Sequence, residues 1–116
     1  MTLAAEIETA TRAAGHQIGV GRALRTQGAA ACLISEFDIA AEHLKGSHET
    51  LLRAGDLLGA EEANAWLGSP EVRRGDFESG TSRLLGSVAV FQDHRDKRRE
   101  VLTLHMLGNA YFYLHQ

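Results

Sequence analysis

A single cysteine, Cys32, and a single proline, Pro70, stand in a chain of 116 residues. One thiol can close no internal disulfide and build no cysteine-based zinc site, which excludes the disulfide-stapled scaffolds. Aromatic residues make up only 6%, too few, with so little proline, for an all-β domain of this size. Long hydrophobic runs are missing too. The longest, Ala29-Ala30-Ala31-Cys32-Leu33-Ile34, falls far short of the roughly 20 apolar residues that span a bilayer. The opening residues Met1-Thr2-Leu3-Ala4-Ala5-Glu6 carry neither the basic nor the apolar segment of a signal peptide. A basic excess is also lacking: 12 Lys and Arg face 15 Asp and Glu, a net charge of −3, which argues against a duplex-binding protein. The expectation is one cytoplasmic domain with no membrane partner.

What is present favours helices. Apolar residues reach 44% and charged residues 23%, as in a folded soluble chain. The 12 glycines are unusual, because each costs a helix interior about 1 kcal/mol relative to alanine. An offset of 40 accounts for several of them. Residues 21–60 laid over 61–100 pair Ala23 with Ala63, Gly28 with Gly68, Phe37 with Phe77 and Leu44 with Leu84. Gly46 falls on Gly86, Ser47 on Ser87 and Asp56 on Asp96. A fixed period of this size marks stacked supersecondary units, here 21–60 and 61–100, with partial units at 1–20 and 101–116.

Within each unit the apolar spacing is helical. Phe37, Ala40, Leu44, Ser47/His48 and Leu51 step by three or four, as do Phe77, Gly80, Leu84, Ser87/Val88 and Phe91, and Leu3, Ile7, Ala10 and Ala14 at the front. Breaks are expected at Gly15-His16, Ser35-Glu36, Gly55-Asp56, Gly75-Asp76 and His94-Arg95-Asp96. Glycine suits the left-handed position past a helix, and aspartate suits the next N-cap. The spacing predicts six antiparallel helices, about 2–14, 17–34, 37–54, 57–74, 77–94 and 97–114. Pro70 inside the fourth predicts a kink or break.

These motifs carry a family resemblance. Leu67-Gly68, then Gly75-Asp76-Phe77, Gly80, Leu84 and Ser87, resemble the helix A, turn and helix B signature of the tetratricopeptide repeat. Leu107-Gly108 and Tyr111 begin a third copy, and Gln27-Gly28, Ala31, Phe37, Ala40, Leu44 and Ser47 form a looser first one. The period is 40 and not 34, so the helices run about a turn longer. The stretch Arg53-Ala54-Gly55-Asp56-Leu57-Leu58-Gly59-Ala60-Glu61-Glu62-Ala63 resembles the long-repeat members found in bacterial signalling proteins, ahead of diguanylate cyclase, histidine kinase or transcription-factor domains. The resemblance implies an α-solenoid of about three helix pairs. It also implies a non-catalytic module for protein interaction or oligomerisation; a peptide or small-ligand receptor is the alternative.

The A helices of that family line a concave face. The implied groove positions are Arg22, Arg25, Ala29 and Cys32 from the first A helix, Glu62, Ala65, Ser69 and Arg73 from the second, and His105, Asn109 and Phe112 from the third. Arg25 with Asn109 is faintly similar to a carboxylate clamp, but Thr26, Trp66 and Met106 stand where a clamp would place polar groups. Trp66 reads as core packing or as an anchor for a partner.

The last helix is apolar almost all round, and such a helix belongs inside something. Val101, Leu104, Leu107, Tyr111, Phe112 and Leu114 are therefore expected to support self-association, as a homodimer through the C-terminal helix. Catalytic and metal chemistry find little footing. The six histidines, His16, His43, His48, His94, His105 and His115, show no His-x-x-x-His spacing, so no metal site or cofactor is expected. Cys32 lacks an electropositive turn. Gly19-Val20-Gly21 lacks the later glycine and the preceding strand of a dinucleotide loop. Ser47 and Ser87 read as small packing positions, and Arg95-Asp96-Lys97-Arg98-Arg99-Glu100 as a solvated helix start.

Overall fold

The computed structural model describes residues 2–115, which contain helices and no strand. The helices are α1 (Leu3–Leu33), α2 (Phe37–Arg53), α3 (Leu57–Trp66), α4 (Gly68–Arg73), α5 (Phe77–Asp93) and α6 (Lys97–Leu114). Leu67 alone separates α3 from α4, and it keeps helical dihedrals. The two therefore form one broken rod, and the described residues form five rods. Pro70 sits in the first turn of α4, where a missing N–H is tolerated.

The expected break at Gly15-His16 does not occur. Residues 2–14 and 17–34 were expected as two helices and are one, α1, so the expectation of six separate antiparallel helices is corrected. The other four turns share a device that Gly15 lacks. Ser35, Gly55, Gly75 and Arg95 all have positive φ, and they are spaced twenty apart. At each, the residue after it donates its N–H to the carbonyl five back: Glu36 to Ala31, Asp56 to Leu51, Asp76 to Glu71 and Asp96 to Phe91, all at 2.9 Å. This is the Schellman closure. Asp56, Asp76 and Asp96 then cap the following helix with their carboxylates. His16 offers no such cap, and Gly15 touches nothing that would force a turn. The helix runs through.

Packing repeats with the turns. Were Gly28 to carry a Cβ, it would stand 2.5 Å from Leu44 Cγ; at Gly68 the distance to Leu84 Cγ would be 2.8 Å. Each leucine of the second helix thus fills a notch in the first. Ser47 Oγ donates to the Gly21 carbonyl at 2.7 Å, and Ser87 Oγ donates to Glu61 Oε1 at 2.8 Å. Both partners lie twenty-six residues upstream, so the serines do more than pack. Two clusters form the core. Ala31, Cys32, Ala40, Ala41, Leu44 and Leu67 make the first. Ala65, Val72, Leu84, Met106 and Ala110 make the second, and Trp66 packs against both.

Candidate functional site

The carboxyl-terminal half of α1, the α3–α4 rod and α6 wall a cavity of about 480 Å³, beside a shallower one of about 360 Å³. Of the groove positions expected from sequence, Cys32, Ser69, Arg73, His105, Asn109 and Phe112 line the larger. Arg25, Ala29 and Glu62 line the smaller. Ala65 does not belong: it is fully buried in the core. Arg22 also lies outside both, with its guanidinium 3.8 Å from Asp56 Oδ2. Trp66 lines both cavities while its body packs on both core clusters.

Among the described residues, no carboxylate lines the larger cavity. Leu33, Trp66, Val72, Leu102 and Met106 make the apolar part of its wall, and Ser69, Arg73, His105 and Asn109 make the polar part. The Arg73 guanidinium lies 4.4 Å from the Tyr113 ring centroid and 5.7 Å from that of Phe37. Two aromatic faces therefore hold the cation at the rim by its attraction to the ring quadrupole. Neither aromatic partner was read from sequence as part of the groove. The forty-residue spacing of Phe37 and Phe77 was visible, but a contact between Arg73 and Tyr113 has no sequence signature.

Cys32 faces the cavity as a thiol. Burial pushes its pKa up, against a smaller opposing effect of a hydrogen bond with Ser69. A nucleophilic cysteine needs the reverse.

The smaller cavity is bounded by a buried ion network. Glu62 is 6% exposed. Its Oε2 lies 3.2 Å from Arg25 Nε and its Oε1 2.9 Å from Arg99 Nε. Arg99 also donates to Asp96 Oδ2 at 2.7 Å, and Arg25 donates to the Gly59 carbonyl at 3.3 Å. The network ties α1, α3 and α6 together. Desolvation lowers the Arg25 pKa, and Glu62 only partly offsets it. At Arg99 desolvation acts the same way, but hydrogen bonds to Asp96 and Glu62 outweigh it and the pKa rises. Arg25 is thus committed inside the fold and is not free to clamp a carboxylate with Asn109. The run from Arg95 to Glu100 is likewise more than a solvated helix start: Arg99 and Asp96 are structural.

Among the described residues, no three histidine, cysteine or acidic side chains converge as metal ligands would. His48 Nδ1 lies 3.0 Å from the Ala60 carbonyl and His94 Nδ1 2.9 Å from the Val90 carbonyl, so both rings serve the backbone. Among the described residues, no helix is long and apolar enough to cross a membrane.

The residues expected in self-association divide. Leu107 turns inward and packs on the second core cluster. Val101, Leu104, Tyr111, Phe112 and Leu114 are exposed, although the Tyr111 ring rests edge-on against Phe77 with centroids 5.5 Å apart. Compared with protein-family models, curated proteins and solved structures, the chain matches none.

Proposed function

We propose that this chain is a non-catalytic interaction module, a tetratricopeptide-like α-solenoid that holds a segment of another protein in its concave groove. One observation carries the reading: among the described residues no carboxylate lines the larger cavity, which sets an apolar wall beside Arg73, His105 and Asn109. Such a site complements an apolar side chain next to a carboxylate, as at the C-terminus of a peptide. A pocket of a few hundred Å³ that joins apolar walls to convergent polar groups is a common form of binding site. Cys32 shares the cavity lining with His105, but burial raises the thiol pKa and makes it a poor nucleophile, which favours binding over catalysis. A small apolar carboxylic acid would satisfy the same groups and is the second reading. The likeness of residues 53–63 to long-repeat signalling proteins extends the proposal to a cytoplasmic sensory or regulatory role, one that would act upon an output domain such as a diguanylate cyclase.

Trp66 is the chain's only tryptophan and lines both cavities, so its emission reports occupancy. A library of short peptides with varied apolar C-terminal residues is expected to contain members that shift this emission saturably. Amidating their C-termini should weaken the response severalfold, and Arg73→Glu with Asn109→Asp should abolish it without loss of helicity. If no peptide or apolar carboxylic acid shifts the emission, the groove reading fails.

A further inference from the structure

The two helix pairs within the chain show what the outer face of α6 lacks. In the first pair, Gly21, Leu24 and Gly28 of α1 face α2 and receive Leu51, Gly46 and Leu44. In the second, Glu61, Asn64 and Gly68 face α5 through Ser87, Arg83 and Leu84. Adding forty once more gives Val101, Leu104 and Gly108. Val101 is 64% exposed and Leu104 45% exposed, and a Cβ on Gly108 would meet nothing within 4 Å. Phe112, forty beyond Val72, is 69% exposed. The exposed apolar row of α6 is therefore a third copy of an interface that is filled twice elsewhere in the molecule.

The chain also carries an unpartnered helix with the spacing to fill it. Inward residues of α2 fall at Ala40, Leu44, Ser47 and Leu51, and those of α5 at Gly80, Leu84, Ser87 and Phe91. Both step by four, three and four. Leu3, Ile7, Ala10 and Ala14 step identically along the amino-terminal arm of α1. That arm contributes nothing to the core: α1 has no buried residue before Gly21, while Leu3 and Ile7 are 72% and 58% exposed. Laid on α6 in this register, Ile7 enters the Gly108 notch as Leu44 enters that of Gly28. At the next contact the sizes exchange. Val101 stands where α1 has Gly21 and Ala14 where α2 has the bulky Leu51, so this contact keeps its combined size, while Thr9 meets Leu104 where Gly46 meets Leu24.

We infer that the arm of a second copy of this chain docks on the outer face of α6, antiparallel to it, and serves as its missing partner helix. The arm is continuous with the rest of α1, so it cannot turn back onto its own α6 without breaking that helix. The contact joins unlike surfaces, and contacts of that kind run on as chains or close by reciprocal exchange. The inference makes no use of groove occupancy.

Complementation tests it. Sedimentation of the wild-type chain across a micromolar concentration series is expected to show the mass rising from 12.6 kDa to at least twice that. Ile7→Glu and Gly108→Glu each alter an exposed site and should each remain at single-chain mass, with helicity and urea midpoint retained. Mixed in equal amounts, they should regain association and stop at twice the single-chain mass, because only one productive arm and one productive face are present. Leu3→Glu should behave as Ile7→Glu. A wild-type chain that stays monomeric, an arm variant that associates normally, a Gly108 variant that does so, or a mixture that fails to associate overturns the inference. The Trp66 titration, run on Gly108→Glu, reads the groove separately, since Gly108 does not line the cavity.

Discussion

Leu44 occupies the notch that Gly28 leaves in α1, so closely that a Cβ on the glycine would stand 2.5 Å from Leu44 Cγ and 3.4 Å from the Ala40 carbonyl oxygen. The same relation holds between Leu84 and Gly68, and it is absent at Gly108. The three positions should therefore respond oppositely to one substitution. Gly28→Ala and Gly68→Ala overpack a helix contact and should cost about 1–3 kcal/mol, in spite of alanine's better helix propensity. In the unassociated chain, at concentrations below the onset of self-association, Gly108→Ala meets open space and should gain up to about 1 kcal/mol. Urea midpoints of the three variants check the reversal of sign.

Glu62 is a keystone. Its replacement by alanine leaves the guanidinium groups of Arg25 and Arg99, each with a side chain 15% exposed, without their shared counter-charge. Removal of one partner from a buried ion pair costs about 3–5 kcal/mol. Equilibrium denaturation of Glu62→Ala should show that loss, whereas Glu49→Ala, at an exposed position on α2, should stay near wild type.

Acid should weaken the fold through Asp96. Hydrogen bonding from the Arg99 guanidinium, joined by the Arg99 backbone N–H, holds this carboxyl below its ordinary value of 3.8. A lowered folded pKa means that the native state binds the proton less readily than the unfolded chain. The contribution is therefore complete above pH 3.8 and is lost as pH falls through the lower folded value. Urea midpoints measured down this range should fall for the wild type. The slope should be shallower in Asp96→Asn, and what remains includes Glu100, which Gln92 and Lys97 also hold below its ordinary value.

Cys32 should be slow to alkylate. Its thiol is buried and its pKa is raised by that burial, so both access and thiolate fraction are low. Iodoacetamide at pH 8 should modify the folded chain many times more slowly than the urea-unfolded chain, as read by mass spectrometry. A peptide seated in the cavity should slow the reaction further.

Arg95 holds a left-handed conformation, with φ of 55°, where the equivalent turns use Gly55 and Gly75. An L-residue pays roughly 1–2 kcal/mol for that region. Arg95→Gly should recover part of it and raise the thermal midpoint by a few degrees.

The helices from Phe37 onward were legible because their ends are local. At Gly55-Asp56 and Gly75-Asp76 the left-handed residue and the capping carboxylate are adjacent, and both act within a five-residue span. Gly15 misled for the same reason. A glycine alone costs a helix little, and the residue beside it, His16, could not complete the turn. The groove was harder to read. The family resemblance assigned Cys32, Ser69, Asn109 and Phe112 to a common face, but it could not separate Ala65, which is buried in the core, from them.

Sequence alone determined the four turns from Ser35 onward, though not the absence of one at Gly15, because Schellman closures and the aspartate caps at three of them depend on side chains only a few positions apart. Tertiary structure decided which charges face solvent and which are enclosed. Arg25, Glu62 and Arg99 look like surface groups in the sequence, and they become a buried network because helices thirty-seven residues apart converge on one carboxylate. Spacing along a helix sets the direction of a side chain, but the neighbouring helix decides whether that direction leads to water.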